Sequence, residues 1–110
     1  MSGGPGVPLR RPSRPTLPPN YHVRIKNRDV RADWDRLVAV IGSVMTRCWD
    51  HLAMRPGLVL PGGRCHRLKG AHLSRTWHYK PTTGHNYRIW YGIDEPARIV
   101  LVTRVWATHP

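Results

Sequence analysis

Carboxylates are the scarcest functional groups in this chain: 6 Asp plus Glu stand against 18 Lys plus Arg, a net charge of +12 over 110 residues. Four of them (Asp29, Asp33, Asp35 and Asp50) lie between residues 28 and 60, and the other two, Asp94 and Glu95, fall in a turn. The segments expected to form a sheet therefore hold no carboxylate pair for acid and base chemistry. Cysteine is almost as rare. Cys48 and Cys65 are too few for a disulfide scaffold and suit a reducing compartment, and neither sits at a helix start that would activate its thiol. Cys48 with His51, and Cys65 with His66, lack the paired-ligand spacing of structural zinc sites, and neighbours on a strand point to opposite faces. No metal and no cofactor are expected. No run approaches the ~18 apolar residues of a membrane span, and the N-terminal arginines are not followed by the apolar stretch of a secretion signal. These absences lead us to expect a soluble, cytoplasmic protein without a membrane partner. Phosphate-cradling glycine loops are missing too, since Gly62-Gly63 is only a turn signal.

Cations are what the chain has in abundance, and they are unevenly placed. Residues 1–27 hold five basic and no acidic residues, residues 28–60 net +1, and residues 61–110 net +6. Such a distribution points to a polyanion, or an acidic protein, on the C-terminal side of the molecule.

The size of the chain allows one domain. Residues 1–20, with six Pro, three Gly and Arg10, Arg11 and Arg14, cannot bury enough to offset ordering and are expected to be a disordered basic arm. Residues 21–110 would form the domain. Tyr21 to Lys26 alternates as a short strand. Asn27 or Asp29 can then cap a helix whose apolar positions, Trp34, Leu37, Val38, Ile41, Val44, Met45, Cys48, Trp49 and Leu52, step by three and four. Gly42-Ser43 either bends this helix or breaks it into a hairpin, and Pro56-Gly57 ends it. Met45, Cys48 and Trp49 are assigned to the core. Leu58-Val59-Leu60 is expected to pack under the sheet. Arg64 to Gly70, Arg75 to Lys80, Asn86 to Ile93 and Arg98 to Ala107 read as four further strands, the last of them central. The predicted fold is α+β with two layers: an N-terminal strand and a helix or helical hairpin packed on a mainly antiparallel sheet of four to five strands.

Cations among packable strand residues call for an explanation, and a bound phosphate backbone is the leading one. His78 and Lys80 share one strand face, as do Arg88 and Trp90, and Arg104 and Trp106. If these sets face the same way, the surface suits RNA: cations hold phosphates, an aromatic stacks a base, and an imidazole moves protons near neutral pH. A solvated basic face with histidines bonded to backbone is an equally open reading of the pattern alone.

The segments His66-Arg67-Leu68-Lys69-Gly70, Trp77-His78-Tyr79-Lys80 and Tyr87-Arg88-Ile89-Trp90-Tyr91-Gly92-Ile93-Asp94, followed by a strand ending in His109-Pro110, resemble the RelE/ParE superfamily of bacterial type II toxins. The resemblance spans about residues 21–110. It implies a small toxin held by a cognate antitoxin that covers the basic surface. In the RNA-cleaving branch it implies metal-independent cleavage of messenger RNA at the ribosome, by attack of a ribose 2′-hydroxyl on the adjacent phosphate. On that footing Arg88 matches the arginine that stabilises the transition state, and Lys80 and His78 lie on the strand that serves the phosphate. His66 falls where some members place a base, and His109 near a C-terminal acid or base. Arg67, Lys69, Arg104 and Trp90 would add RNA contacts. No carboxylate stands at His66, and Gly84-His85-Asn86 lengthens the hairpin before Tyr87. ParE-type relatives share the fold and act on DNA gyrase instead. A basic nucleic-acid-binding module without catalysis is the third reading.

Overall fold

The computed structural model describes residues 20–70 and 75–107. The basic arm assigned to residues 1–20 lies almost wholly outside that range, as does His109. Extended backbone comes first, because Val23 and Ile25 alternate with polar neighbours in β1 (His22–Ile25). Asn27 then switches the chain to helix: its side-chain oxygen accepts from the Val30 N–H at 3.0 Å and satisfies one of the bare amides of the first turn. The helical stretch α1 runs Arg28–Met54, with one residue, Ile41, outside helical dihedrals (φ −132°, ψ 48°).

That single residue folds α1 in two. The rings of Trp34 and Trp49 meet edge to face at 5.9 Å, whereas a straight helix would hold their Cα atoms about 22 Å apart. Of the two possibilities left by Gly42-Ser43, the chain takes the hairpin, with the break one residue earlier at Ile41. Trp34, Leu37, Met45, Cys48 and Leu52 form its buried stripe. Trp49 departs from its expected place in the core: it stays 41% exposed, because its ring closes over the edge of Trp34 from outside.

After Pro56 the chain makes a short 3-10 turn (Pro61–Gly63) and four more strands: β2 (Cys65–Arg67), β3 (Trp77–Tyr79), β4 (Arg88–Asp94) and β5 (Ile99–Trp106). They form one five-stranded sheet in the order β1-β5-β4-β3-β2. All neighbours are antiparallel except β1 with β5, which run parallel. The long helical crossover from β1 permits that parallel pair, since a tight turn cannot join parallel strands. β5 is an interior strand between β1 and β4, as its apolar run requires, while β4 takes the middle of the sheet. The α+β two-layer architecture expected from the sequence is thus the one observed, with all five strands in a single sheet.

The core lies between the α1 hairpin and one sheet face, where Ile89, Tyr91, Val100 and Val102 are wholly buried. Leu58 and Val59 do not pack under the sheet. They are 44% and 61% exposed, and only Leu60 is drawn in, through its bridge to Cys65. Tyr21 ties the entry of β1 to both layers: its N–H donates to the Ala53 carbonyl at 2.9 Å and its hydroxyl to Glu95 Oε1 at 2.8 Å. Among the described residues no helix is long and apolar enough to cross a membrane.

Candidate functional site

Strand alternation leaves the sheet with a second face that α1 does not cover. Register assigns side chains to it. His66 on β2 stands opposite His78 on β3, His78 opposite Trp90 on β4, and Trp90 opposite Arg104 on β5. One row therefore crosses four strands. One step of two residues along, Arg88 stands opposite Trp106. Extending the β3–β4 register by one residue past Tyr79 sets Lys80 next to Arg88, and on the β2 side the Lys80 N–H donates to the Arg64 carbonyl at 2.7 Å. His66, His78, Lys80, Arg88, Trp90 and Arg104 are thus brought to a single face.

The members of this face touch one another. The His66 and His78 rings meet edge to face at 5.0 Å. Trp90 and Trp106 meet the same way at 4.9 Å. The Arg104 guanidinium lies 4.6 Å from the Trp106 ring centre and 5.9 Å from that of Trp90, so cation–π attraction holds it over the indoles. Arg88 remains exposed.

His78 is the exception to the openness of the face, being only 6% exposed. Among the described residues neither of its ring nitrogens has a hydrogen-bond partner, and the same holds for His66 Nδ1 and Trp90 Nε1. Native interiors pair nearly all such groups, so this row holds the least satisfied polar atoms of the face. Burial, followed by the charges of His66, Arg88 and Lys80, pushes His78 down from its ordinary 6.5 to about 4. The fold therefore favours a neutral ring at this position. It follows that His78 leaves stability untouched above pH 6.5 and weakens the protein as pH falls from 6.5 toward about 4. Burial also lowers His51, with Arg55 adding to it, and this acts in the same direction. His78→Gln is expected to flatten the fall of Tm between pH 7 and pH 4.5; a parallel fall in both proteins would refute this assignment.

Two of the sequence-assigned residues stand elsewhere. Arg67 is in register with Trp77 and, through it, with Tyr91, which places it on the α1 side of the sheet. Lys69 lies past the end of β2 and is exposed. Two neighbours not singled out by the strand pattern are Arg64, whose buried Nε has no partner among the described residues, and Thr82, whose hydroxyl likewise has none among them. Both belong to turns flanking Lys80, and alternation carries no signal for turn residues.

The thiols meet the core rather than the open face. Cys65 Sγ lies 3.3 Å from His51 Nε2 and 3.2 Å from the Tyr91 hydroxyl, which donates to the Pro56 carbonyl at 2.6 Å. Burial pushes the Cys65 thiol up, against a smaller downward pull from the Tyr91 hydrogen bond, so this trio holds a neutral thiol and joins α1 to the sheet. Among the described residues no three metal-ligating side chains come together.

No protein-family model and no curated protein matches the sequence. Solved structures do. The chain superposes on a chain of the RelBE2 toxin-antitoxin complex from Mycobacterium tuberculosis with a TM-score of 0.55 and 25% identity, over 86% of this chain and 100% of that one. The resemblance to RelE-like toxins carried by the C-terminal strands thus extends to the whole architecture.

Proposed function

We propose that this chain is the toxin of a toxin-antitoxin pair, and that it is an endoribonuclease cleaving messenger RNA at the ribosome without a metal until an antitoxin protein covers it. One observation supports the chemistry above all others: Lys80, Arg88 and the two imidazoles occupy adjoining rows of one uncovered sheet face. The likeness to a toxin-antitoxin complex supports the biological setting.

The arrangement suits cleavage by the substrate's own ribose. Arg88 and Lys80 take the scissile phosphate, and the 2′-oxygen attacks phosphorus while its proton passes to His66. His66 is the accessible imidazole of the pair, being half-exposed where His78 is buried. The bond from phosphorus to the 5′-oxygen breaks, and that oxygen takes a proton from the Lys80 ammonium to leave as a hydroxyl. A 2′,3′-cyclic phosphate remains on the other fragment. Arg88 stabilises the extra negative charge of the phosphorane-like transition state, which is greatest when water is excluded. His78 positions His66 from its edge, and Trp90, Trp106 and Arg104 offer stacking surfaces for neighbouring bases.

Induction of the protein in bacteria, followed by mapping of transcript ends, tests this reading. New ends inside coding regions bearing 2′,3′-cyclic phosphate are expected. Intact transcripts accompanied by DNA damage would assign the chain to gyrase inhibition instead, and intact transcripts with normal growth would leave only a binding module.

A further inference from the structure

On the α1 side of the sheet, beyond the end of the helical hairpin, lies a groove of about 560 Å³ that the open face does not share. Its lining is chemically divided. Arg67 and Arg75 stand on the β2 and β3 side, Asp94 at the end of β4 and Glu95 in the turn after it, and Trp77 adds its indole to the lining. Trp77 is half-buried and stacked nearly parallel on Tyr91, at 6.4 Å and 18°, which fixes it as a wall. Arg31, Arg36 and Arg98 each hold a carboxylate. Arg67 and Arg75 hold none among the described residues, although both are exposed at the rim. Across the groove each carboxylate spends one named oxygen on the protein: Asp94 Oδ1 accepts from the Ala97 N–H at 3.1 Å, and Glu95 Oε1 from the Tyr21 hydroxyl at 2.8 Å and from Arg98 at 3.5 Å.

We propose that this groove binds one nucleotide unit, its phosphate on Arg67 and Arg75, its base against Trp77, and an amine-bearing base edge on the carboxylates of Asp94 and Glu95. The volume is in the range of small-ligand sites. An indole wall with flanking guanidinium groups is how single-stranded nucleic acid is held. The divided charge narrows the choice. An acidic peptide or a bare anion would meet Asp94 and Glu95, whereas a nucleotide presents its anion at one end and N–H donors at the other. Guanine offers two adjacent donors to a carboxylate and uracil one flanked by acceptors, so guanine is the expected base.

The position of the groove suggests its use, and this part rests on the nuclease reading. β2 is the edge strand, and on it His66 and Arg67 are neighbours pointing to opposite faces. RNA that lies on the open face and turns over the β2 edge passes directly from His66 to Arg67. The groove would then hold a nucleotide flanking the bond to be cut.

Calorimetric titration of the full chain with 5′-GMP, 5′-UMP and a single-stranded RNA decamer containing one guanosine separates the sources. We expect GMP to bind more tightly than UMP, and the double variant Arg67→Ala/Arg75→Ala to lose at least tenfold in affinity for it. Asp94→Asn, which keeps an oxygen for the Ala97 amide, should erase the preference for GMP while leaving the phosphate contacts. GMP silent but decamer binding weakened tenfold in the double variant would assign the groove to RNA alone, still as a nucleotide site. Equal affinities of wild type and double variant for both GMP and decamer would overturn the proposal. If the wild-type chain binds GMP but leaves transcripts intact on induction, the nuclease reading fails while the mononucleotide result stands by itself.

Discussion

Arg88→Ala is expected to lower RNA cleavage by roughly 10²–10³-fold at saturating substrate, the range found when one preorganised transition-state donor is removed. The melting temperature should stay within the small shifts of an exposed substitution. The reason for both halves is its place. Arg88 opens β4 on the uncovered face, is exposed, and makes no hydrogen bond or ion pair with a described side chain. Its backbone continues the ladder opposite Trp106 whatever side chain it carries. Arg88→Lys should recover part of the rate, since a point charge replaces the planar fork but cannot reproduce its two-point contact. Cleavage by Arg88→Ala at the wild-type rate would remove Arg88 from the chemistry.

Ile89→Ala, one residue further along the same strand, is expected to do the opposite. Ile89 is wholly buried against the α1 side, and its truncation removes packing and leaves a cavity costing about 2–5 kcal/mol. That is a large part of the 5–15 kcal/mol that holds a small domain folded. In thermal unfolding Tm should fall by on the order of 10–30 °C. At a temperature where the variant is still folded, cleavage per folded molecule should match the wild type, because the open face is unaltered. A variant that melts like the wild type would show that Ile89 is not where the core places it. The pair of neighbours thus separates chemistry from stability: alternation along β4 gives one residue to the open face and the next to the core.

Much of this was legible in the residues. Alternation in Trp77-His78-Tyr79-Lys80 and Arg88-Ile89-Trp90-Tyr91 states which side chains share a face, since period two is a property of the strand and not of its surroundings. The stripe of Trp34, Leu37, Met45, Cys48 and Leu52 likewise marks the buried side of α1. Propensity could not decide whether Gly42-Ser43 bends or reverses the helix. The answer came from the Trp34 and Trp49 contact, made between residues far apart in sequence. For the same reason Trp49, periodic with the core, was left outside it: period assigns a face, and the end of the partner layer decides how much of that face is covered.

Charge, strand period and helix stripe, all local properties of covalent order, by themselves determined that this protein is a basic α+β domain with cations alternating against core residues. Register between strands is a long-range choice, and only the tertiary structure made it. It aligned His66, His78, Trp90 and Arg104 in one row, buried His78 with no partner among the described residues, and turned Arg67 away toward Trp77. Each of these depends on which strand lies beside which, and a chain encodes that through packing summed over the whole fold rather than in any one segment.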